Sequence, residues 1–153
     1  MKSQRPTLRV LIVEDHDDSR EMLEHLLDRQ GYAVSAAGSC GRARELAGSL
    51  PFDMVICDID LPDGDGVELM RELRRQYLMI TIALTGLTRP SDIERCSKAG
   101  VHAFLAKPIA IEGLVNAIKQ LMIPPDAVRR QGPLIVSHGM GEVLAARPPF
   151  RES

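Results

Sequence analysis

Five short apolar runs, at positions 8–13, 32–36, 53–57, 80–84 and 102–106, each precede a segment of helical periodicity. No other feature constrains the fold as strongly. Runs one, three and four are near-continuous rather than alternating, the pattern of strands buried on both faces of a parallel sheet. Run two is the weakest and fits an edge strand. The helical segments cover 17–30, 39–50, 66–76, 91–99 and 111–122. In the first, Met22, Leu23, Leu26 and Leu27 fall at helical spacing, with Asp15, Asp17 or Asp18 available as the N-cap. Gly31 and Gly100 stand where C-cap glycines belong, and Pro51 stops the second helix. The alternation predicts a doubly wound α/β domain with helices on both faces of the sheet.

That domain occupies 8–123, after a short N-terminal tail at 1–7. Beyond Ile123 the pattern breaks: 124–153 holds five prolines and three glycines. This segment is expected either to be disordered or to serve as a docking or dimerising element. Within it Leu134-Ile135-Val136 could pair as a strand, and 142–147 could form a helical turn or two. It is too short for an appended DNA-binding domain of ordinary size, so no direct DNA binding is expected. The net charge of −2 gives no electrostatic reason for nucleic-acid or membrane binding. Aromatic residues make up 3% of the chain and Trp is absent, so the core must be aliphatic. Cys40, Cys57 and Cys96 are odd in number and in no metal-binding spacing, which favours a reducing compartment. Cys57, inside an apolar run, reads as a small buried hydrophobe. The first apolar run is too short and too quickly acidic for a signal peptide or membrane span. A cytoplasmic location is expected.

The polar residues fall at strand ends. Glu14 and Asp15 close the first run, Asp58 the third and Thr85 the fourth, and Lys107 follows the fifth. These are all carboxyl ends of parallel strands, the edge where open α/β sheets bind ligands. If strands one and three are neighbours, three carboxylates converge. Two like charges ~4 Å apart repel by about 4 kcal/mol at an effective dielectric near 20. Such a group calls for a cation or for shifted pKa values. An all-oxygen pocket suits a hard ion, Mg²⁺ or Mn²⁺, that keeps positions open for water and phosphate oxygens. Lys107 adds positive charge and the Thr85 hydroxyl can hydrogen-bond an oxyanion. Together they describe a phosphoryl site in which a carboxylate can itself accept the group.

These residues resemble the receiver domain of two-component response regulators, over positions 8–122. LIVEDHDDSREML is similar to the family's first strand, acidic pair and first helix. DIDLPDGDG resembles its phosphoacceptor loop, with Leu61 in place of the usual Met; ALTG carries a switch threonine and FLAKPI a lysine-proline pair. The resemblance implies a flavodoxin-like, five-stranded parallel sheet of order 2-1-3-4-5. It implies a stand-alone, single-domain switch that is not an enzyme beyond its own phosphorylation and dephosphorylation. Asp58 would be the phosphoacceptor. Glu14, Asp15, Asp58 and the Asp60 backbone carbonyl would hold Mg²⁺. Lys107 would contact the phosphoryl group, and the Lys107–Pro108 bond would be cis. Thr85 and Phe104 would be the switch pair, Thr85 moving toward the phosphoryl group while the ring of Phe104 turns into the vacated space. The partners implied are a sensor histidine kinase or histidine phosphotransfer protein, and an unknown downstream protein on the face of the fourth helix, fifth strand and fifth helix. A homodimer stays open. Asp60 adds a carboxylate beside the site, and its side chain is expected to point outward and tune the phosphoryl lifetime.

Rival readings fare less well. Counted from Asp58, an EF-hand would need acidic, Gly and Glu residues where Pro62, Asp63 and Leu69 stand. A phosphatase of the haloacid-dehalogenase type shares D-x-D, Thr, Lys and Mg²⁺, but places its D-x-D on the first strand. Flavin binding would meet repulsion from 14–18 and find few aromatics to stack on. A non-phosphorylated interaction module is the remaining alternative, opposed by the intact set of five residues. His16 reads as an exposed loop residue rather than a ligand, and His102 as a strand start; neither has metal-ligand spacing to another His or Cys. Asp63 and Asp65 read as parts of the turn into the third helix.

Overall fold

In the computed structural model, which describes residues 7–86, 89–122, 134–136 and 143–145, the five apolar runs lie side by side as strands. They are β1 (Arg9–Val13), β2 (Ala33–Ala37), β3 (Met54–Asp58), β6 (Ile80–Thr85) and β7 (Ala103–Ala106). A two-residue antiparallel ribbon, β4 (Asp60–Leu61) with β5 (Gly64–Asp65), forms the loop after β3. The helices are α1 (Asp17–Arg29), α2 (Cys40–Ser49), α3 (Gly66–Tyr77), α4 (Pro90–Lys98) and α5 (Ile111–Leu121). The order β2-β1-β3-β6-β7 is all parallel and is the expected 2-1-3-4-5 arrangement. β2 is the edge strand and is only partly buried.

Strand pleating splits the core into two layers, because successive side chains leave opposite faces of the sheet. Leu11, Val13, Val55 and Cys57 pack toward α2, α3 and α4, with Ala43, Met70, Leu73 and Cys96. Val10, Ile12, Met54 and Ile56 pack toward α1 and α5, against Leu23, Leu27, Leu114 and Ile118. Each Val, Leu, Ile or Met side chain among them removed from water contributes roughly 1.5–3 kcal/mol. With so few aromatics, Phe104 is the bulkiest fully buried side chain among the described residues.

Several local expectations are corrected. The N-cap position of α1 falls to His16, which makes no side-chain cap bond, rather than to Asp15, Asp17 or Asp18. The chain leaves β1 at Val13 and enters the helix at Asp17, which fixes the cap position by backbone geometry rather than by side-chain preference. On α1 the buried line is Leu23 and Leu27, four residues apart, while Met22 is 51% exposed. Helix α3 ends on Leu78 in the left-handed region, φ 59°, where no glycine signals the stop.

The sheet also continues past β7. β8 (Leu134–Val136) pairs parallel with β7, and β9 (Val143–Ala145) pairs antiparallel with β8, making seven strands. Thus 142–147, expected as a helical turn, contains a strand. An isolated turn that short is unstable in water, whereas the backbone groups of β9 find partners on β8. The remainder of 124–153, with its open readings of disorder, docking or dimerisation, lies outside the described residues.

Candidate functional site

Strand register brings the carboxyl ends of the strands to one rim. Val13 pairs with Cys57, Asp58 with Leu84, and Thr85 with Ala106, so Glu14, Asp58, Thr85 and Lys107 emerge along the same edge. Glu14 is wholly buried. Its backbone N–H donates to the Ala37 carbonyl at 3.0 Å, and the Glu14 carbonyl accepts from the Arg20 guanidinium at 3.0 Å. Asp58 closes β3 and is 6% exposed. The Asp60 N–H donates to its Oδ1 at 3.1 Å. Gly66 allows the loop to fold back: a Cβ there would lie 2.0 Å from the Asp58 carbonyl oxygen.

Lys107 joins the two buried carboxylates. Its Nζ donates to Glu14 Oε1 at 2.7 Å and to Asp58 Oδ2 at 2.8 Å. Its backbone N–H donates to the Thr85 carbonyl at 2.7 Å, and the Lys107–Pro108 peptide is cis. Thr85 is buried on the neighbouring strand end, and Phe104 lies three residues before Lys107 with its ring in the α4-side core. Asp15 is half-buried beside Glu14. The Asp60 side chain is exposed.

The electrostatics follow from burial and from the shared lysine. Burial raises the Asp58 carboxyl, and the Lys107 ammonium and Asp60 N–H only partly offset it. At Glu14 burial is outweighed by Lys107 and by the His16 N–H, which hold it below the usual carboxylate range. Burial opposes the charge of Lys107, but its hydrogen bonds to Asp58 and Glu14 raise its pKa overall. Glu14, Asp15 and Asp58 together carry more negative charge than one ammonium balances. Oxygen donors with that surplus match a hard divalent cation.

Three residues have partners that the sequence did not show. The Asp63 carboxylate accepts from the N–H groups of Cys40 and Gly41, at 2.8 and 3.0 Å, so it caps α2. Asp65 caps α3 through the Val67 N–H at 2.9 Å and pairs with Arg95 of α4, which also meets the buried Asp92. Neither is merely part of a turn. His16 Nδ1 lies 3.5 Å from Glu14 Oε2, and among the described residues Glu14, Asp15 and His16 form a group spaced to hold a metal ion. Only the run of Asp residues at 58–65 hinted at any of this. The three cysteines are buried and free, with thiol pKa values raised by burial, to about 12 at Cys96. Among the described residues no helix is long and apolar enough to cross a membrane.

Comparison with known proteins agrees with this geometry. The sequence model of the response regulator receiver domain matches residues 10–119. The KDP operon transcriptional regulatory protein KdpE of Escherichia coli (strain K12) is 33% identical over 138 residues, which span 90% of this chain and 61% of that protein. A sensory/regulatory protein RpfC of Xanthomonas campestris is 27% identical over 123 residues, covering 17% of its length. The chain therefore spans only part of these relatives. Among solved structures, chemotaxis response regulator CheY4 of Vibrio cholerae superposes with a TM-score of 0.71 at 28% identity, covering 76% of this chain and 100% of that one. A putative response regulator from Chloroflexus aurantiacus J-10-fl gives 0.69 at 34% identity, covering 76% and 98%. Both share the doubly wound parallel sheet. The rim of acidic residues, the lysine and the matched span of sequence lead to one assignment: this chain belongs to the response regulator receiver domain family.

Proposed function

We propose that this chain is a phosphorylation-dependent switch whose phosphoacceptor is Asp58. The family is a phosphoacceptor signalling module of two-component systems rather than a conventional enzyme. The observation that carries the residue assignment is the Lys107 Nζ bridging Glu14 and Asp58, at 2.7 and 2.8 Å, on the strand-end rim. A carboxylate oxygen of Asp58 attacks the phosphorus of a phosphohistidine on a sensor histidine kinase or histidine phosphotransfer protein. The P–O bond forms as the P–N bond breaks, and the imidazole leaves with its electron pair. Lys107 neutralises the phosphoryl oxygens and the Thr85 hydroxyl can donate to one of them. Water later hydrolyses the acyl phosphate.

Glu14, Asp15, Asp58 and the Asp60 carbonyl would hold Mg²⁺ or Mn²⁺, which supplies charge neutralisation at the phosphoryl oxygens when bound. Thr85 and Phe104 are proposed as the switch pair. Phe104 already lies inward here, at 1% exposure. The switch is then a population shift that phosphorylation drives, by making the outward position of that ring rarer. Output passes through protein contacts on α4, β7 and α5, in the cytoplasm, where β8 already occupies the β7 edge.

The test is incubation with acetyl phosphate and Mg²⁺, read by intact mass. The wild type should gain one phosphoryl group and then lose it slowly, while Asp58→Asn should gain none. Labelling of that variant at the wild-type level would overturn the assignment, and repeated turnover of small phosphate esters would favour a phosphatase.

A further inference from the structure

His16 holds a cap position without doing a cap's work. Its backbone is clamped from both sides: the N–H donates to Glu14 Oε2 at 3.1 Å, and the carbonyl accepts from the Arg20 N–H at 2.9 Å. The side chain makes no cap hydrogen bond and is 76% exposed. Ser, Thr, Asp or Asn at that position would satisfy an orphan N–H of the first turn. The imidazole instead turns back toward the acidic pair, with Nδ1 at 3.5 Å from Glu14 Oε2 and 3.9 Å from Asp15 Oδ1. One donor atom from each of the three residues lies within 4.8 Å of the others. Adjacent ligands on an ion with bonds near 2.1 Å stand ~3 Å apart, so small rotations of the exposed His16 ring and the half-buried Asp15 carboxylate close the difference.

We propose that His16 is a nitrogen ligand of the metal pocket, so that the site takes a divalent transition ion such as Mn²⁺ in preference to Mg²⁺. This rests on the reading of Glu14 and Asp15 as metal-holding residues. The chemistry is that of donor softness: oxygen donors serve Mg²⁺ and Mn²⁺ alike, whereas imidazole favours transition ions. One histidine added to an oxygen pocket therefore separates two ions that the acidic residues alone treat similarly.

Mn²⁺ bound to the full chain tests this through electron spin-echo spectroscopy, which detects a directly bonded imidazole by its ¹⁴N coupling. The wild type should show that coupling, His16→Gln should lose it, and His25→Gln should keep it. Loss of the ligand should weaken Mn²⁺ binding about tenfold or more, with the Mg²⁺ affinity unchanged. Absence of ¹⁴N coupling in the wild type, or equal loss for both ions in His16→Gln, overturns the proposal. If that occurs while Mg²⁺ still binds and Asp58 is still labelled, only the role of His16 falls. If neither ion binds and Asp58 takes no phosphoryl group, the phosphoacceptor reading falls with it.

Discussion

Lys107 Nζ sits 2.7 Å from the wholly buried carboxylate of Glu14, so the lysine neutralises an acid that has no access to water. The same ammonium reaches Asp58, leaving two carboxylates dependent on one cation. Lys107→Ala therefore strands buried negative charge and should destabilise the fold by roughly 3 kcal/mol at neutral pH. Divalent cation should restore stability more in this variant than in the wild type, because binding to the native state adds stability and no ammonium competes for the carboxylates. Urea midpoints with and without Mg²⁺ measure both effects. Equal gains from Mg²⁺ in the two proteins would show that Lys107 is not the resident counter-ion.

Gly66 is where the loop after Asp58 turns back on itself. Its N–H donates to the Ile59 carbonyl at 2.8 Å, and a methyl group there would fall 2.0 Å from the Asp58 carbonyl oxygen. That neighbour is backbone, so no side chain can move aside. Gly66→Ala should cost at least about 2 kcal/mol of stability and displace Asp58 from its place beside Lys107. Labelling by acetyl phosphate should drop sharply even where the variant remains folded by circular dichroism. Full labelling in a folded Gly66→Ala protein would mean the loop tolerates the displacement.

These two sites show what local sequence can carry. The five parallel strands and five helices were legible to within a residue or two because periodicity and glycine or proline punctuation are local signals. The rim was legible because parallel strands put their carboxyl ends on one edge, which places Glu14, Asp58, Thr85 and Lys107 together. The partner of each side chain was not. Asp63 caps a helix that starts 23 residues earlier, and Asp65 pairs with Arg95 thirty residues later. Such contacts depend on how α2, α3 and α4 pack on the sheet, information no short window contains. β9 was misread for a related reason: its neighbour β8 supplies the hydrogen bonds that make Val143–Ala145 a strand.

His102 predicts a pH dependence. The Thr81 N–H donates to its Nδ1 at 3.0 Å, so that nitrogen carries no proton in the fold. Burial, with the Arg74 charge nearby, pushes its pKa down to about 4. In the unfolded chain it returns to about 6.5. Between those values the unfolded state binds the extra proton, so the stability present above about pH 6.5 is lost as pH falls toward 4. Allowing for partial exposure, the loss is on the order of 2 kcal/mol. His102→Asn should flatten that part of the profile, measured as the difference in urea midpoint between the two proteins from about pH 4.5 to pH 7.5. Parallel profiles would show that His102 does not titrate differently on folding.

Asp60 tests the chemistry of decay. Its backbone N–H supports the Asp58 carboxylate at 3.1 Å, while its own side chain is exposed at the mouth of the site. A negative charge there repels an attacking water as that water becomes hydroxide-like. At ~5 Å in a solvent-like dielectric the repulsion is about 0.8 kcal/mol, or roughly fourfold in rate. Asp60→Asn keeps the backbone donor and removes the charge, so dephosphorylation should accelerate about fourfold, with the extent of labelling at saturating acetyl phosphate little changed. Added salt should shrink the difference between the two proteins, because an exposed charge is screened. An unchanged decay rate in Asp60→Asn would leave the backbone as this residue's sole contribution, and a slower decay would mean that the carboxylate orders the attacking water rather than repelling it.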